Sequence, residues 1–228
     1  MAAVVTLLGA AAIDTSSGTH TVTATPAVND LIVIVTVATG NTATTAPTDD
    51  QSGTYTLILS AVKAASADTM CAFIRTALIP SAISTVFTHA PGVSTGGGLA
   101  VHKVTGMTRT GATAAKQSAK QDNQGSAGTP APVFGSAVLT TNAVIGAVFI
   151  NLATSAMTPR TGFTETAEVS YTVPSTNTET MAINSGETGT TMTWGSATTE
   201  LSVRSLSNWT PAQQRRRRVS SLTRHWRF

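Results

Sequence analysis

A period of two runs through most of this chain. Residues 20–26 read HTVTATP and residues 167–174 read AEVSYTVP, polar and apolar by turns. Alternation of this kind places successive side chains on opposite faces of an extended strand. The same signal, or a short apolar run bounded by Gly, Pro, Ser or Asp, recurs at 4–8, 31–37, 54–62, 71–79, 82–90, 98–106, 133–141, 143–153, 178–184, 190–196 and 200–206. No segment before Thr210 carries a helical stripe. A dozen or so short strands at this spacing predict an all-β chain, an antiparallel β-sandwich of jelly-roll type over residues 1–208.

Composition supports strands over helices. Threonine supplies roughly a fifth of the residues, and its branched β-carbon suits a pleated strand. Charged residues make up 11%, against about 25% in an ordinary domain. A hydroxyl-covered surface with so little charge repulsion suits a protein packed against neighbours in an assembly. Cys71, in the run MCAFIRTALI, is expected to be a small core residue, since one cysteine forms no internal disulfide. The apolar N-terminus has no Lys or Arg before it and reads as a first strand rather than a signal peptide. The longest apolar run, LIVIVTV at 31–37, falls far short of the roughly 18 residues of a membrane span. Two stretches read as loops, 40–53 and the longer 106–132, which links the two halves of the sandwich.

The C-terminus departs from all of this. Six arginines (Arg215, Arg216, Arg217, Arg218, Arg224 and Arg227) stand in the last fourteen residues, with no acid among them. The whole chain has 14 Lys+Arg and 11 Asp+Glu, so the rest has 8 basic and 11 acidic residues, a net of −3. Thr210 with Gln213 forms a capping box and Pro211 takes the first helical position. Val219, Leu222 and Trp226 fall at i, i+3 and i+7. Residues 209–228 are therefore predicted to be a basic arm, helical or extended, that orders on a partner. Its binding residues would be Arg215 to Arg218, Leu222, Arg224, Trp226, Arg227 and Phe228. An acidic protein, nucleic acid and a membrane surface would each attract such a segment.

Residues 21–107 carry a resemblance. AVNDLIVIVTV is followed by an acidic turn at Asp49-Asp50 and Gly53, then by TYTLILSAV, CAFIRTALI and STVFTHA, and the run closes in LAVHKVTGM. This order of elements resembles the concanavalin-like or jelly-roll sandwich of tailed-phage and bacterial surface proteins, with Asn29-Asp30 where those carry Gly-Asp. The resemblance implies a virion or surface component and hands over no catalytic residues.

Reaction chemistry finds little support in the residues. His20, His89, His102 and His225 do not cluster with acids or cysteine at metal-ligand spacing, and His20 and His89 read as exposed or satisfied strand residues. No G-x-S-x-G elbow accompanies them. Asp49-Asp50 reads as a solvated turn, with loop-held Ca²⁺ as its functional alternative. Glu165 and Glu168 straddle a strand start, without the aromatic groove that a glycosidase needs. Gly96-Gly97-Gly98 reads as a turn before a strand, not a phosphate loop. The expectation is a non-enzymatic virion structural protein without a cofactor, a capsid decoration or a tail or fibre component. Its partners would be other virion proteins and further copies of itself, with nucleic acid also open to the arm. The alternative is a carbohydrate-binding or adhesin module using Tyr55, Tyr171 or Trp194.

Overall fold

The segment LIVIVTVAT, Leu31–Thr39, is buried at all nine positions. A strand with no polar face must be covered on both sides, so a two-layer sandwich with solvent on each outer face cannot house it as an outer wall. The computed structural model, which describes residues 3–13, 18–63, 66–106, 109–122, 129–151, 156–172, 175–195 and 202–209, shows what covers it. The strands are β1 (Val4–Ile13), β2 (His20–Ala24), β3 (Leu31–Thr39), β4 (Thr48–Asp49), β5 (Tyr55–Lys63), β6 (Asp68–Arg75), β7 (Thr85–His89), β8 (Gly96–Thr105), β9 (Ala119–Asp122), β10 (Ala143–Asn151), β11 (Thr164–Thr172), β12 (Ser175–Ile183) and β13 (Ser202–Trp209).

They form three sheets, ordered β1-β8-β3-β6-β5, β2-β7-β4 and β11-β12-β10-β13-β9, with every pairing antiparallel. The orders 1-8-3-6 and 2-7-4 are those of a jelly roll. Here β5 has joined the larger sheet beside β6. The fold is all-β and antiparallel, as the alternation predicts, with a third sheet added by the second half of the chain.

The central sheet separates two cores. Ile32 and Ile34 of β3 pack with Val22, Phe87, Leu99 and Val101 against the three-stranded sheet. Leu31, Val33, Val35 and Val37 face the other way and meet Ile145, Ala147 and Phe149 of the C-terminal sheet. Cys71, in β6, is 2% exposed, a core position as expected. The far side of the C-terminal sheet holds a third core, in which Val144, Val148 and Met181 are covered by Phe134, Val138, Met157, Phe163, Met192 and Trp194 from coil.

Some segments differ from the sequence reading. The stretch 106–132 contains a short 3-10 turn, Gly111–Ala114, and β9, which pairs with β13 and completes the C-terminal sheet. Segment 133–141 and residues 190–195 of segment 190–196, the part that lies within the described residues, alternate like strands but share only the bridge Val133–Thr191. They run as coil over the sheet, with one side buried. Gly96-Gly97-Gly98 lies inside β8 rather than in a turn. A Cβ on Gly96 would fall 2.7 Å from the Tyr171 ring, and one on Gly97 would fall 2.5 Å from the Val37 carbonyl oxygen and 2.6 Å from the His20 ring. These glycines let neighbours close in on both faces of β8.

Candidate functional site

The predicted arm lies outside the described residues, including Arg215 to Arg218, Leu222, Arg224, Trp226, Arg227 and Phe228. Its root does not. Trp209 is the last residue of β13 and pairs with Ala143 at the start of β10, so the sandwich extends one residue past 208.

The acidic turn at Asp49 is a clasp rather than a solvated corner. Arg75, at the end of β6, gives Nε to Asp49 Oδ2 at 2.8 Å and Nη2 to Asp49 Oδ1 at 3.3 Å. Its remaining donors reach the carbonyls of Ala77, Leu78 and Gln51. The Asp49 carboxylate also accepts from Tyr55 OH and from the N–H groups of Gln51 and Gly53. Burial alone would raise the Asp49 carboxyl, but the bonds from Arg75, Tyr55 and Gly53 outweigh it and hold the group below its ordinary value. The same burial, with the carboxylate as acceptor, pushes the Tyr55 phenol up. With its oxygens accepting five hydrogen bonds, Asp49 is a structural residue.

The strand histidines are interior. His20 and His89 are 1% and 2% exposed and stack at 5.5 Å between ring centroids. His20 Nδ1 donates to the His89 carbonyl at 3.3 Å. Burial lowers both, His89 to about 4 with His20 adding to the effect. His102 is buried between the central and C-terminal sheets, with Nε2 3.1 Å from Thr166 Oγ1 and 3.2 Å from Thr180 Oγ1, and burial takes it to about 4. Among the described residues, no group of three or more His, Cys, Asp or Glu is placed to hold a metal ion. No described helix is long and apolar enough to cross a membrane.

Glu165 and Glu168 stand within edge strand β11, separated by a bulge, rather than at its start. Across from Glu168 is Glu179, fully buried in β12. Asn177 Nδ2 donates to Oε1 of both carboxylates at 3.1 Å, and the Met157 N–H donates to Glu179. Burial raises Glu179 to about 7, with Glu165 and Glu168 adding to the shift against the Met157 bond. Such a carboxyl holds its proton near neutrality.

Two clefts mark the C-terminal half. One, of about 430 Å³, lies along the seam of β1 with β11 and β12 and includes Glu165 and Asn184. The other, of about 590 Å³, is framed by coil residues Arg160, Thr161, Thr190, Thr191, Thr193 and Trp194. Arg160 pairs with Glu187 at 3.2 Å and lies over the Phe163 ring at 5.9 Å. Sequence reasoning singled out Trp194 but not Arg160, Glu187 or Glu179. These three stand among threonine, glycine and proline, so the scarcity of charge in the body was the one available signal. No family model, curated protein or solved structure matches the chain.

Proposed function

We propose that this chain is a non-enzymatic structural component of a bacteriophage particle, a capsid decoration or similar virion surface protein, held by contacts between copies and by its basic C-terminal arm. The observation that carries the reading is the partition of charge. Six arginines without an acid follow a body of 8 basic and 11 acidic residues, so arm and body are complementary in sign and a neighbouring copy or other virion subunit can receive the arm.

The fold adds a second support. The edge strands β1, β5 and β11 each carry a bulge, at Leu7/Gly9, Leu57/Leu59 and Glu165/Ala167. Bulges blunt an edge against strand addition by another chain. The long edges are thus guarded and the remaining edges β2, β4 and β9 are short, which favours association through sheet faces, loops and the arm, the pattern of a subunit that docks on a lattice without merging its sheets.

Truncation after Trp209 tests this. The shortened protein keeps every described strand, so its circular dichroism and thermal midpoint should match those of the full chain. Particles assembled with it should lack it, while those assembled with the full chain carry it. Normal incorporation of the truncated protein would refute the docking role.

A further inference from the structure

The cleft over the C-terminal sheet has a chemistry of its own. At about 590 Å³ it falls in the size range of small-molecule sites, about 300–1,000 Å³. Thr161, Thr190 and Thr193 are exposed, Thr191 is half-buried, and all four line it. Each hydroxyl can donate one hydrogen bond and accept two. Met192 and Trp194 are buried between and beyond Thr191 and Thr193, so these two threonines face the same side of an extended stretch, roughly 7 Å apart. That is about the span of one hexose ring.

The charges at the rim are already matched. Arg160 donates through Nη1 to the Thr191 carbonyl and through Nη2 to Glu187. Glu187 in turn accepts the N–H groups of Thr188 and Gly189. An anionic ligand therefore meets no unmatched cation here, and an apolar one meets no aliphatic side chain in the wall. Glycine keeps the wall thin, since a Cβ on Gly195 would fall 2.8 Å from the Pro159 carbonyl oxygen. Trp194 borders the cleft from the buried side of this stretch, where it packs in the core with Met192. Trp194 is 1% exposed, and its indole Nε1–H has no hydrogen-bond partner among the described residues. Buried indole N–H groups ordinarily find an acceptor.

From this we infer that the cleft binds a neutral saccharide. The threonine hydroxyls bond the hydroxyls of one sugar ring, and Arg160, neutralised by Glu187, borders that ring. No aromatic face is open for stacking, so binding is weak, in the millimolar range, and selectivity comes from the hydrogen-bond pattern. The site does not depend on the arm or on a virion role.

The test uses the full-length ¹⁵N-labelled protein, with the Trp194 indole resonance identified by its persistence in Trp209→Phe and Trp226→Phe. Maltose, cellobiose, lactose and mannobiose are titrated to high millimolar concentration, with glucuronic acid as the charged comparison. At least one neutral disaccharide should shift the Trp194 signal saturably. Thr190→Lys and Thr193→Lys, both at exposed positions, should keep the thermal midpoint and weaken that binding at least about tenfold. No shift with any neutral disaccharide, a response to glucuronic acid alone, or binding that survives both lysine substitutions would each overturn the assignment.

Discussion

Arg75 uses all five of its N–H donors, on Asp49, Ala77, Leu78 and Gln51. Its partner Asp49 is only 8% exposed. Taking one member from such a pair leaves an uncompensated buried charge, which is far costlier than never having had the pair. Arg75→Met should therefore lower stability by about 3–5 kcal/mol, read as a fall in the urea midpoint. Adding Asp49→Asn should recover part of the loss, because the stranded charge goes with it. A loss below about 1 kcal/mol would mean that the clasp behaves like an exposed ion pair. The acidic turn itself was legible, since Asp49, Asp50 and Gly53 sit between two strand patterns. The pairing was not. Arg75 stands 26 residues further on, in a run that reads as apolar, and only the fold brings its guanidinium to the turn.

At the scale of elements, alternation reports one-sided burial, and that is both why it worked and where it failed. Strands β2, β5, β7, β11 and β12 sit where the pattern put them, within a few residues. Residues 133–141 and 190–195 have the same alternation because Phe134, Val138, Met192 and Trp194 face a core, yet they hydrogen-bond as coil. In the other direction, β4 has two residues and β9 has four, too few to show a period. β8 offers the sharpest local test. Gly97 meets a backbone oxygen at 2.5 Å on one side of its missing Cβ, and a backbone oxygen has little room to yield. Gly97→Ala should cost about 1–3 kcal/mol or more through overpacking. Gly135→Ala, with nothing within 4 Å of its Cβ position, should stay within about 0.5 kcal/mol of the parent. Equal thermal midpoints for the two variants would show that β8 has slack.

The whole molecule is held by two inter-sheet cores, and each contains buried imidazole. His20 and His89 lie toward the three-stranded sheet and His102 toward the C-terminal sheet. The third sheet was not legible from the pattern, because β3 reads as one apolar run whether its second cover is a sheet or coil. Its consequence is measurable. His89 and His102 titrate near 4 in the folded protein against about 6.5 in an unfolded chain. Between those values the unfolded chain binds more protons, so stability is full above about 6.5 and is lost as the pH falls toward 4. Glu179 works in the opposite sense. Raised to about 7 from 4.5, it stabilises the protonated form and loses that contribution as the pH rises through 7. Two strongly shifted imidazoles, with His20 shifted the same way, outweigh one carboxyl, so the urea midpoint should fall between pH 7.5 and pH 5. Asp49, held below 3.8, adds its loss only at lower pH. Glu179→Gln keeps the acceptor for Met157 and Asn177 and removes the charge. It should be more stable than the parent at pH 8, converge with it near pH 4.5, and fall more steeply in between. A flat midpoint from pH 7.5 to 5, or a variant that matches its parent at pH 8, would show that these groups reach water in the folded state.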